Sequence, residues 1–526
     1  MRWPTLPFPE RSDGARSPEM WVDEAIWGHR LYDEQTPWLA FLEFLNVLYA
    51  EDVEGRAFQE PDGYNKLRYH PKKSLHMRHI LFNNPRMPAF LREVPDDEAR
   101  WSCWEQFMRE TAVGLSDDRD FSYVRPRFQS FEDFARVVQL LRSTAIEGDS
   151  NKRWSSKFVF PYGPAALYED LTVRPNSVTN DRRFFGRVGE LVYLMMCRSG
   201  KGEELLAHLR PLVLNDQTPW NRLVRALTSD ARETPASRPG GYLPYERRPE
   251  FEDFARDWLA LFECQMPGYD VIPHLVDTLG LHVVLYKLRC AHMWGSTGSH
   301  VQLVLEIIAP SRTPVRDLAV ETYLTNNLAS REAIEAYIRE TVELSEEWQA
   351  ALSSTDPYGD ALTVLRHKVR WPPQRPDGDV DYSGPHSPDS LLNSADGLRS
   401  TALRRHTQHV GNVHAIYTRK VGLASRRGTR RYRYAPNDHI LRSLVFAIVP
   451  RRMEFQHFLA ALYERYGFII GHRQATTYIE QGQADQKAFE DNALRLEMRL
   501  ASLGLLRRLS DACAYVHNPY TIEGRR

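Results

Sequence analysis

The residues of this chain best suited to a chemical task are the arginines and tyrosines of residues 426–434. This short segment has the sequence RRGTRRYRY, in which guanidinium groups alternate with aromatic rings. Guanidinium groups bind phosphates through paired hydrogen bonds, and aromatic rings stack on exposed bases. The segment therefore predicts a contact with nucleic acid.

The charge around this segment points in the same direction. Residues 397–437 contain ten Lys or Arg and no Asp or Glu. Residues 397–526 hold 22 basic and 10 acidic side chains, a net charge of +12, whereas the remainder holds 46 and 59, a net of −13. A basic C-terminal part on an acidic body is typical of a polyanion-binding module attached to something else.

Nine cations of the basic tract are candidate DNA contacts. They are Arg404, Arg405, Arg419, Lys420, Arg426, Arg427, Arg430, Arg431 and Arg433. If about five of them neutralise phosphates, the log–log salt slope of DNA binding is expected to be about −4 to −5. The alternative is that this tract forms an arm that packs on the acidic body of its own chain.

The residues after the tract follow the element order of a winged helix-turn-helix. A helix begins at Asn437 or Asp438 and ends before Pro450, a second ends at Gly467, and a third begins near Asp485. Two short apolar segments, 505–509 and 512–516, then predict a hairpin. If this module binds DNA, the cations expected to approach the phosphates are Lys487, Arg495 and Arg499 on the exposed side of the third helix and Arg507 and Arg508 on the hairpin.

Acidic residues on that third helix leave a second interpretation open. Asp485, Glu490, Asp491 and Glu497 lie on the same helix and would repel a phosphate backbone. Winged helices also serve as docking surfaces for proteins. DNA contact and protein contact therefore both remain possible for this module.

The remainder of the chain is predicted to be mainly α-helical. Apolar residues recur at spacings of three and four after Thr36-Pro37, and the sequence FEDFAR opens a helical pattern twice, at 131–136 and 251–256. Strand-like alternation is scarce. We expect a multi-helix acidic body, divided into domains at 1–120 and 121–352, a Pro/Gly/Ser-rich linker at 353–397, a basic arm at 398–436 and the winged-helix domain at 437–520.

Other bulk features favour a cytoplasmic protein that does not bind a membrane. No apolar run approaches the roughly 18 residues that a membrane span needs, and the first residues do not follow a signal-peptide pattern. The five cysteines are scattered without a CxxC pair, which indicates free thiols in a reducing compartment.

No catalytic or cofactor motif is found. His406, His409 and His414 are the only clustered residues of a metal-binding type, but no carboxylate or cysteine lies near them in sequence. The glycine-rich segments at 199–202 and 295–299 lack the frame of a phosphate-binding loop. We therefore expect no metal and no cofactor, and an enzyme only if carboxylates distant in sequence form a site.

Several phrases of the sequence resemble proteins encoded in bacterial anti-phage defence clusters. They are IWGHR at 26–30, YDEQTPW at 32–38, RVGELVYL at 187–194, LYERYG at 462–467 and LSDACAYV at 509–516. They are similar to an accessory subunit of the methylation-associated defence systems, in which modification enzymes are encoded beside restriction effectors. The resemblance brings no catalytic residues with it.

Charge, module order and resemblance together predict an accessory DNA-binding subunit of a multi-gene anti-phage defence or restriction complex. Its partners would be DNA and other subunits of the complex, and it would have no catalysis of its own. Two alternatives stay open: a protein–protein scaffold subunit of the same kind of complex, or a nuclease with a dispersed metal site.

Overall fold

The computed structural model describes most of the chain. The described residues are 18–28, 31–59, 68–69, 74–115, 119–146, 158–168, 171–174, 177–180, 187–229, 238–239, 243–295, 301–369, 396–426, 430–510 and 513–521. The central part of the predicted linker, residues 370–395, and Arg427 lie outside them.

The described chain is mainly helical, as predicted. The helices before the predicted linker are α1 Pro18–Trp27, α2 Pro37–Val53, α3 Leu75–Phe82, α4 Met87–Glu93, α5 Asp97–Thr111, α6 Phe131–Ser143, α7 Val188–Arg198, α8 Gly202–Val213, α9 Pro219–Arg225, α10 Pro249–Glu263, α11 Val271–Trp294, α12 Pro314–Ile338 and α13 Glu346–Leu352. Those that follow are α14 Pro357–Val369, α15 Asp396–Gln408, α16 Val410–Lys420, α17 Asp438–Ile448, α18 Phe455–Tyr466, α19 Thr476–Glu480 and α20 Gln486–Ser502.

The strands are short and form small separate sheets. They are β1 Arg68–Tyr69, β2 Leu171–Arg174, β3 Ser177–Asn180, β4 Arg238–Pro239, β5 Leu303–Val304, β6 Ala424–Ser425, β7 Arg433–Tyr434, β8 Met453–Glu454, β9 Phe468–Ile469, β10 Leu506–Ser510 and β11 Cys513–Val516. The sheets pair β1 with β4, β2 with β3, β5 with β9 and β6 with β7, and one three-stranded sheet has the order β10-β11-β8.

Helix caps that the sequence predicts are present. The Thr36 hydroxyl accepts a hydrogen bond from the Leu39 N–H at the start of α2, and the Asn437 side chain accepts one from the Ile440 N–H at the start of α17. Gly467 ends α18 with φ +74°, the left-handed conformation that glycine adopts without strain. Local sequence therefore sets several helix boundaries.

Helix α11 is the axis of the largest core. It packs against α10, α12, α16 and α17, and nearly all of its side chains are buried. Among the described residues, it alone has the length and apolar composition that would suffice to cross a membrane, and most of its length is buried inside the protein. Such a helix is typical of a protein core.

Two segments that the sequence assigned to a linker and an arm contain helices. The predicted linker at 353–397 begins with α14, which packs against α13. The predicted arm at 398–436 begins with α15 and α16, which pack against α1, α11 and α12. These two helices are thus part of the folded body, in line with the alternative that the tract packs on its own chain, and the residues after Lys420 form the strands β6 and β7. The five-part domain division itself stays a prediction.

The C-terminal residues share their core with the body. Strand β9 pairs with β5 in parallel, with Leu303 opposite Phe468 and Val304 opposite Ile469. The buried Asn492 side chain on α20 donates to the carbonyl oxygens of Leu305 and Ile470, at 2.9 and 3.0 Å, and accepts from the Ile307 N–H.

A buried carboxylate joins the two parts at a second place. Asp257 on α10 accepts hydrogen bonds from the Tyr466 hydroxyl at 2.6 Å and from the Arg465 guanidinium at 2.5 Å, both on α18. The same carboxylate lies 2.7 Å from Nε2 of His282 on α11. Residues 437–521 are therefore built into the same structure as residues 243–338.

Candidate nucleic-acid interface

The basic segment of the sequence forms the hairpin of β6 and β7. Ala424 pairs with Tyr434 and Ser425 with Arg433, so the arginine-rich residues 426–432 connect the two strands. At the base of the hairpin, Gly422 adopts φ +79° directly after α16. Its close approach to the Asn437 side chain leaves no space for a Cβ atom. This turn fixes the direction in which the hairpin leaves the body.

Tyr434 fastens the hairpin to the core through a buried hydrogen-bond chain. His414 Nδ1 lies 3.2 Å from the Asn327 side-chain oxygen, so this nitrogen carries the proton and donates. His414 Nε2 then accepts from the Tyr434 hydroxyl at 2.7 Å, and the same hydroxyl oxygen accepts from Asn326 Nδ2 at 3.0 Å. Burial holds the pKa of His414 well below its usual value, which keeps this ring neutral.

Arg433 does not lie where the sequence prediction placed it. Only 2% of its side chain is exposed, and its guanidinium pairs with the fully buried carboxylate of Glu306. Both residues of β7, Arg433 and Tyr434, are buried, and Arg433 is buried because a counter-charge from a distant part of the chain, Glu306, lies beside it. Arg433 serves as a buried anchor of the hairpin and is not open to a phosphate.

Tyr432 organises the exposed cations of the hairpin. The guanidinium of Arg419, at the end of α16, lies 5.1 Å from the centre of the Tyr432 ring and donates a hydrogen bond to its hydroxyl at 3.1 Å. The guanidinium of Arg426 lies 5.5 Å from the same ring. Cation–π contacts of this kind restrain two arginines that are otherwise exposed.

Six of the predicted contacts of the basic tract are exposed in this region. They are Arg404, Arg419, Lys420, Arg426, Arg430 and Arg431. Arg404 and Arg405 are on α15, but the side chain of Arg405, like the whole of Arg427, lies outside the described part. We call Arg419, Lys420, Arg426, Arg430, Arg431 and Tyr432 the basic hairpin cluster.

The cations predicted on the exposed side of α20 are placed differently. Arg495 is partly buried and donates to the Ile307 carbonyl oxygen at 3.2 Å. Arg499 is partly buried and pairs with Asp438 at 2.6 Å. Arg495 thus lies against the body and Arg499 against the start of α17, and a pattern of apolar residues does not predict such contacts between distant segments. Lys487 is exposed and pairs with Asp491 at 3.4 Å.

The hairpin β10–β11 carries the remaining predicted cations. Arg507 and Arg508 are both exposed, and Arg508 pairs with Glu497 at 3.2 Å. The sequence prediction omitted Arg452, whose guanidinium lies 4.4 Å above the Tyr515 ring on the neighbouring strand. The Arg451-Arg452 pair directly after Pro450 was the available signal. An exposed cationic surface thus exists on this sheet as well.

The three histidines considered for metal binding have separate partners. His406 Nε2 lies 2.8 Å from the Ser330 hydroxyl, and His409 Nδ1 lies 3.3 Å from the Asp33 carboxylate. His414 takes part in the chain to Tyr434 described above. Each ring therefore has its own hydrogen-bond role in joining α15 and α16 to the body.

The class of protein that these observations define is a mainly helical one with a cationic, tyrosine-bearing hairpin on its C-terminal part. Residues 392–520 match the model of one family, described as methylation-associated defense system protein MAD7. This match confirms the resemblance to an accessory protein of the methylation-associated defence systems, and it covers the basic hairpin cluster together with α17 to α20. No curated protein and no solved structure matches the chain.

Proposed function

We propose that this protein is a cytoplasmic, non-catalytic accessory subunit of a bacterial anti-phage defence complex and that it binds DNA through the basic hairpin cluster. The observation that carries the proposal is the group of exposed cations arranged around Tyr432 on a hairpin whose base is anchored in the core. The family match supports the defence association. DNA binding rests on the charge and shape of the cluster.

We further propose that residues 437–520 form a winged helix-turn-helix. The support is the element order α17, β8, α18, β9, α19, α20, β10, β11, in which the short α19 precedes the third long helix, and the sheet order β10-β11-β8. In winged helices the hairpin that follows the third helix pairs with a short strand between the first two, and this chain follows the same path. Arg507 and Arg508 on β10 are the wing residues proposed to approach a phosphate backbone.

The test is DNA binding by the full chain, because residues 397–526 share their core with the body. Fluorescence anisotropy with a labelled duplex, measured from low to moderate salt, yields the affinity and the salt slope. Five neutralised phosphates predict a log–log salt slope of about −4 to −5. Changing Arg419, Arg426, Arg430 and Arg431 to Ala should bring this slope closer to zero by about 3 to 4.

A matched control removes four exposed arginines from the body. The variant Arg136, Arg256, Arg312 and Arg331→Ala changes the net charge equally, and each of these side chains is at least half exposed. It should keep the wild-type slope. Equal binding by both variants and the wild type, or equal losses in both variants, would refute a DNA contact at the basic hairpin cluster.

A second candidate function, protein docking by α20, is favoured by one observation. The outer side of this helix exposes Leu494 and Met498, and the neighbouring strand exposes Leu509, with 44%, 57% and 62% of each side chain accessible. Exposed apolar residues in this arrangement are typical of protein contacts. Under this alternative the other subunits of the complex bind here.

Leu494→Ser with Met498→Ser, which changes no charge, separates the two functions. Co-purification of tagged protein with the products of neighbouring genes, after nuclease treatment, should be lost in this variant if α20 is a docking surface. Anisotropy with the labelled duplex should remain unchanged, because neither residue belongs to the basic hairpin cluster. Wild-type co-purification by the double variant would exclude this surface.

A further inference from the structure

Three potential metal ligands meet where the body contacts the C-terminal residues. His274 and Asp277 lie one turn apart on α11, and His439 is the second residue of α17. One ligand atom from each lies within 4.8 Å of the other two. Among the described residues, this is the one group of three such side chains that could hold a metal ion. No local sequence pattern indicates this group, because His439 and Asp277 are 162 positions apart in the chain.

Hydrogen bonds already orient the three side chains toward a common point. Asp277 Oδ2 accepts a hydrogen bond from the Ser443 hydroxyl at 2.8 Å and another from His439 Nδ1. His274 Nδ1 lies 2.8 Å from the same Ser443 hydroxyl. The two imidazole rings are stacked, with centroids 5.2 Å apart and planes 17° from parallel. His439 Nδ1 therefore faces the Asp277 carboxylate, and His274 Nδ1 faces the Ser443 hydroxyl that donates to this carboxylate.

The environment of each side chain suits a ligand role. Only 11% of the Asp277 side chain is exposed, and its position on α11 is fixed by the core. His274 is partly buried beside this carboxylate, and imidazole nitrogens are common ligands of transition metals. Half of the His439 side chain is exposed, which leaves one side of the group open to water.

We propose that His274, Asp277 and His439 bind one divalent transition-metal ion of the zinc class, with water completing the coordination. Two imidazoles and one carboxylate match the ligand preference of Zn²⁺ or Co²⁺, whereas Mg²⁺ and Ca²⁺ prefer a set of oxygens. Ser443, which contacts both His274 and Asp277, would act as a positioning residue. The positive charge of Arg442, an exposed residue on the adjacent turn of α17, would repel the bound ion.

Such an ion would join two helices that carry different parts of the protein. Helix α11 is the axis of the body core, and α17 directly follows the basic hairpin cluster in the chain. A metal held by both would further restrain the start of α17, which hydrogen bonds to Asp277 and the stacked imidazole rings already attach to α11. The proposal is independent of whether the cluster binds DNA.

The experiment uses the full chain without a histidine tag, treated with a chelator and then dialysed free of it. Titration with Co²⁺ is expected to give visible absorption bands of tetrahedral or five-coordinate nitrogen–oxygen ligation that saturate at one ion per chain. Zn²⁺ should displace the Co²⁺ and raise the thermal midpoint. Mg²⁺ at the same concentrations should do neither.

Two variants assign the binding to this group. His439→Gln and His274→Gln should each weaken Co²⁺ affinity by about tenfold or more, since removal of a ligand exceeds the effect of losing an outer-shell partner. His439 is half exposed, so its variant is the less disruptive of the two. His457→Gln is the matched control, because His457 lies on the same C-terminal part, is 81% exposed and is outside the group.

The outcomes are distinguishable even if the buried variant is unstable. Saturation at one ion with loss of affinity in His439→Gln, but not in His457→Gln, supports the site. Absence of Co²⁺ bands in the wild type overturns it. Equal affinity of the wild type and His439→Gln, with the metal-free midpoint unchanged, overturns it as well.

Discussion

Lys287 lies in the middle of α11 with its side chain fully buried, and we predict that Lys287→Met makes the protein more stable. Within the described parts of the chain, the Lys287 ammonium nitrogen has no hydrogen-bond partner. Burial lowers its pKa from 10.5 to about 7, against a smaller opposing effect of the Asp23 carboxylate. Methionine keeps the length and most of the packing of the lysine chain without its charge.

The magnitude follows from the linkage between protonation and folding. The unfolded chain binds a proton at Lys287 up to about pH 10.5, whereas the folded chain loses it near pH 7. The unfolded state therefore binds more protons between these values, and stability rises with pH across this window. At about 1.4 kcal/mol per pKa unit, burial of Lys287 lowers the free energy of unfolding by about 4 kcal/mol at pH 7. At pH 8.5 this penalty is smaller by about 2 kcal/mol.

Urea denaturation followed by tryptophan fluorescence at pH 7.0 and 8.5 measures the effect. Lys287→Met should raise the free energy of unfolding at pH 7.0 by about 2 to 4 kcal/mol, and its gain over the wild type should shrink by about 2 kcal/mol at pH 8.5. Lys487→Met, an exposed lysine on α20, serves as the control and should change neither value. A less stable Lys287→Met protein, or a gain independent of pH, would show that Lys287 is charged and compensated in the folded state.

Two further predictions concern the attachment of the C-terminal residues. Glu306→Ala should lower the free energy of unfolding by about 3 to 5 kcal/mol, because it leaves the guanidinium of Arg433 buried without its counter-charge. Urea denaturation measures the loss, and the double variant Glu306→Ala/Arg433→Met should recover part of it. Asn492→Leu should lower the free energy of unfolding by about 2 to 4 kcal/mol, because three backbone groups lose their hydrogen-bond partner. Hydrogen exchange should rise first at the Ile307 amide, and unchanged exchange there would contradict the hydrogen bond assigned between Asn492 and Ile307.

Local features were predictable from the sequence because they depend on neighbouring residues. Thr36-Pro37 identified the start of α2, Asn437 the start of α17 and Gly467 the end of α18, since capping and positive φ are properties of a few consecutive residues. The predicted start of the third helix near Asp485 agrees with α20, whose N-cap is Asp485. Mainly helical structure followed from such patterns.

Contacts between distant segments could not be predicted in this way. The sequence contained no signal that Phe468–Ile469 pairs with Leu303–Val304, because two-residue strands have no alternation to match. Arg433 was indistinguishable in sequence from the exposed arginines near it, and its burial depends on Glu306 in another part of the chain. The metal-type group at His439 was missed for the same reason.

The parallel pairing of β5 with β9 has a consequence for synthesis of the chain on the ribosome. Leu303 emerges long before Phe468, its partner in the sheet. At about 5 to 20 residues per second, this strand edge waits roughly 10 to 30 s for its neighbour. During this interval the apolar residues of β5 are exposed, because the strand that covers them has not been synthesised. A chaperone that shields exposed apolar residues would therefore have its greatest effect on the yield of folded protein at this stage.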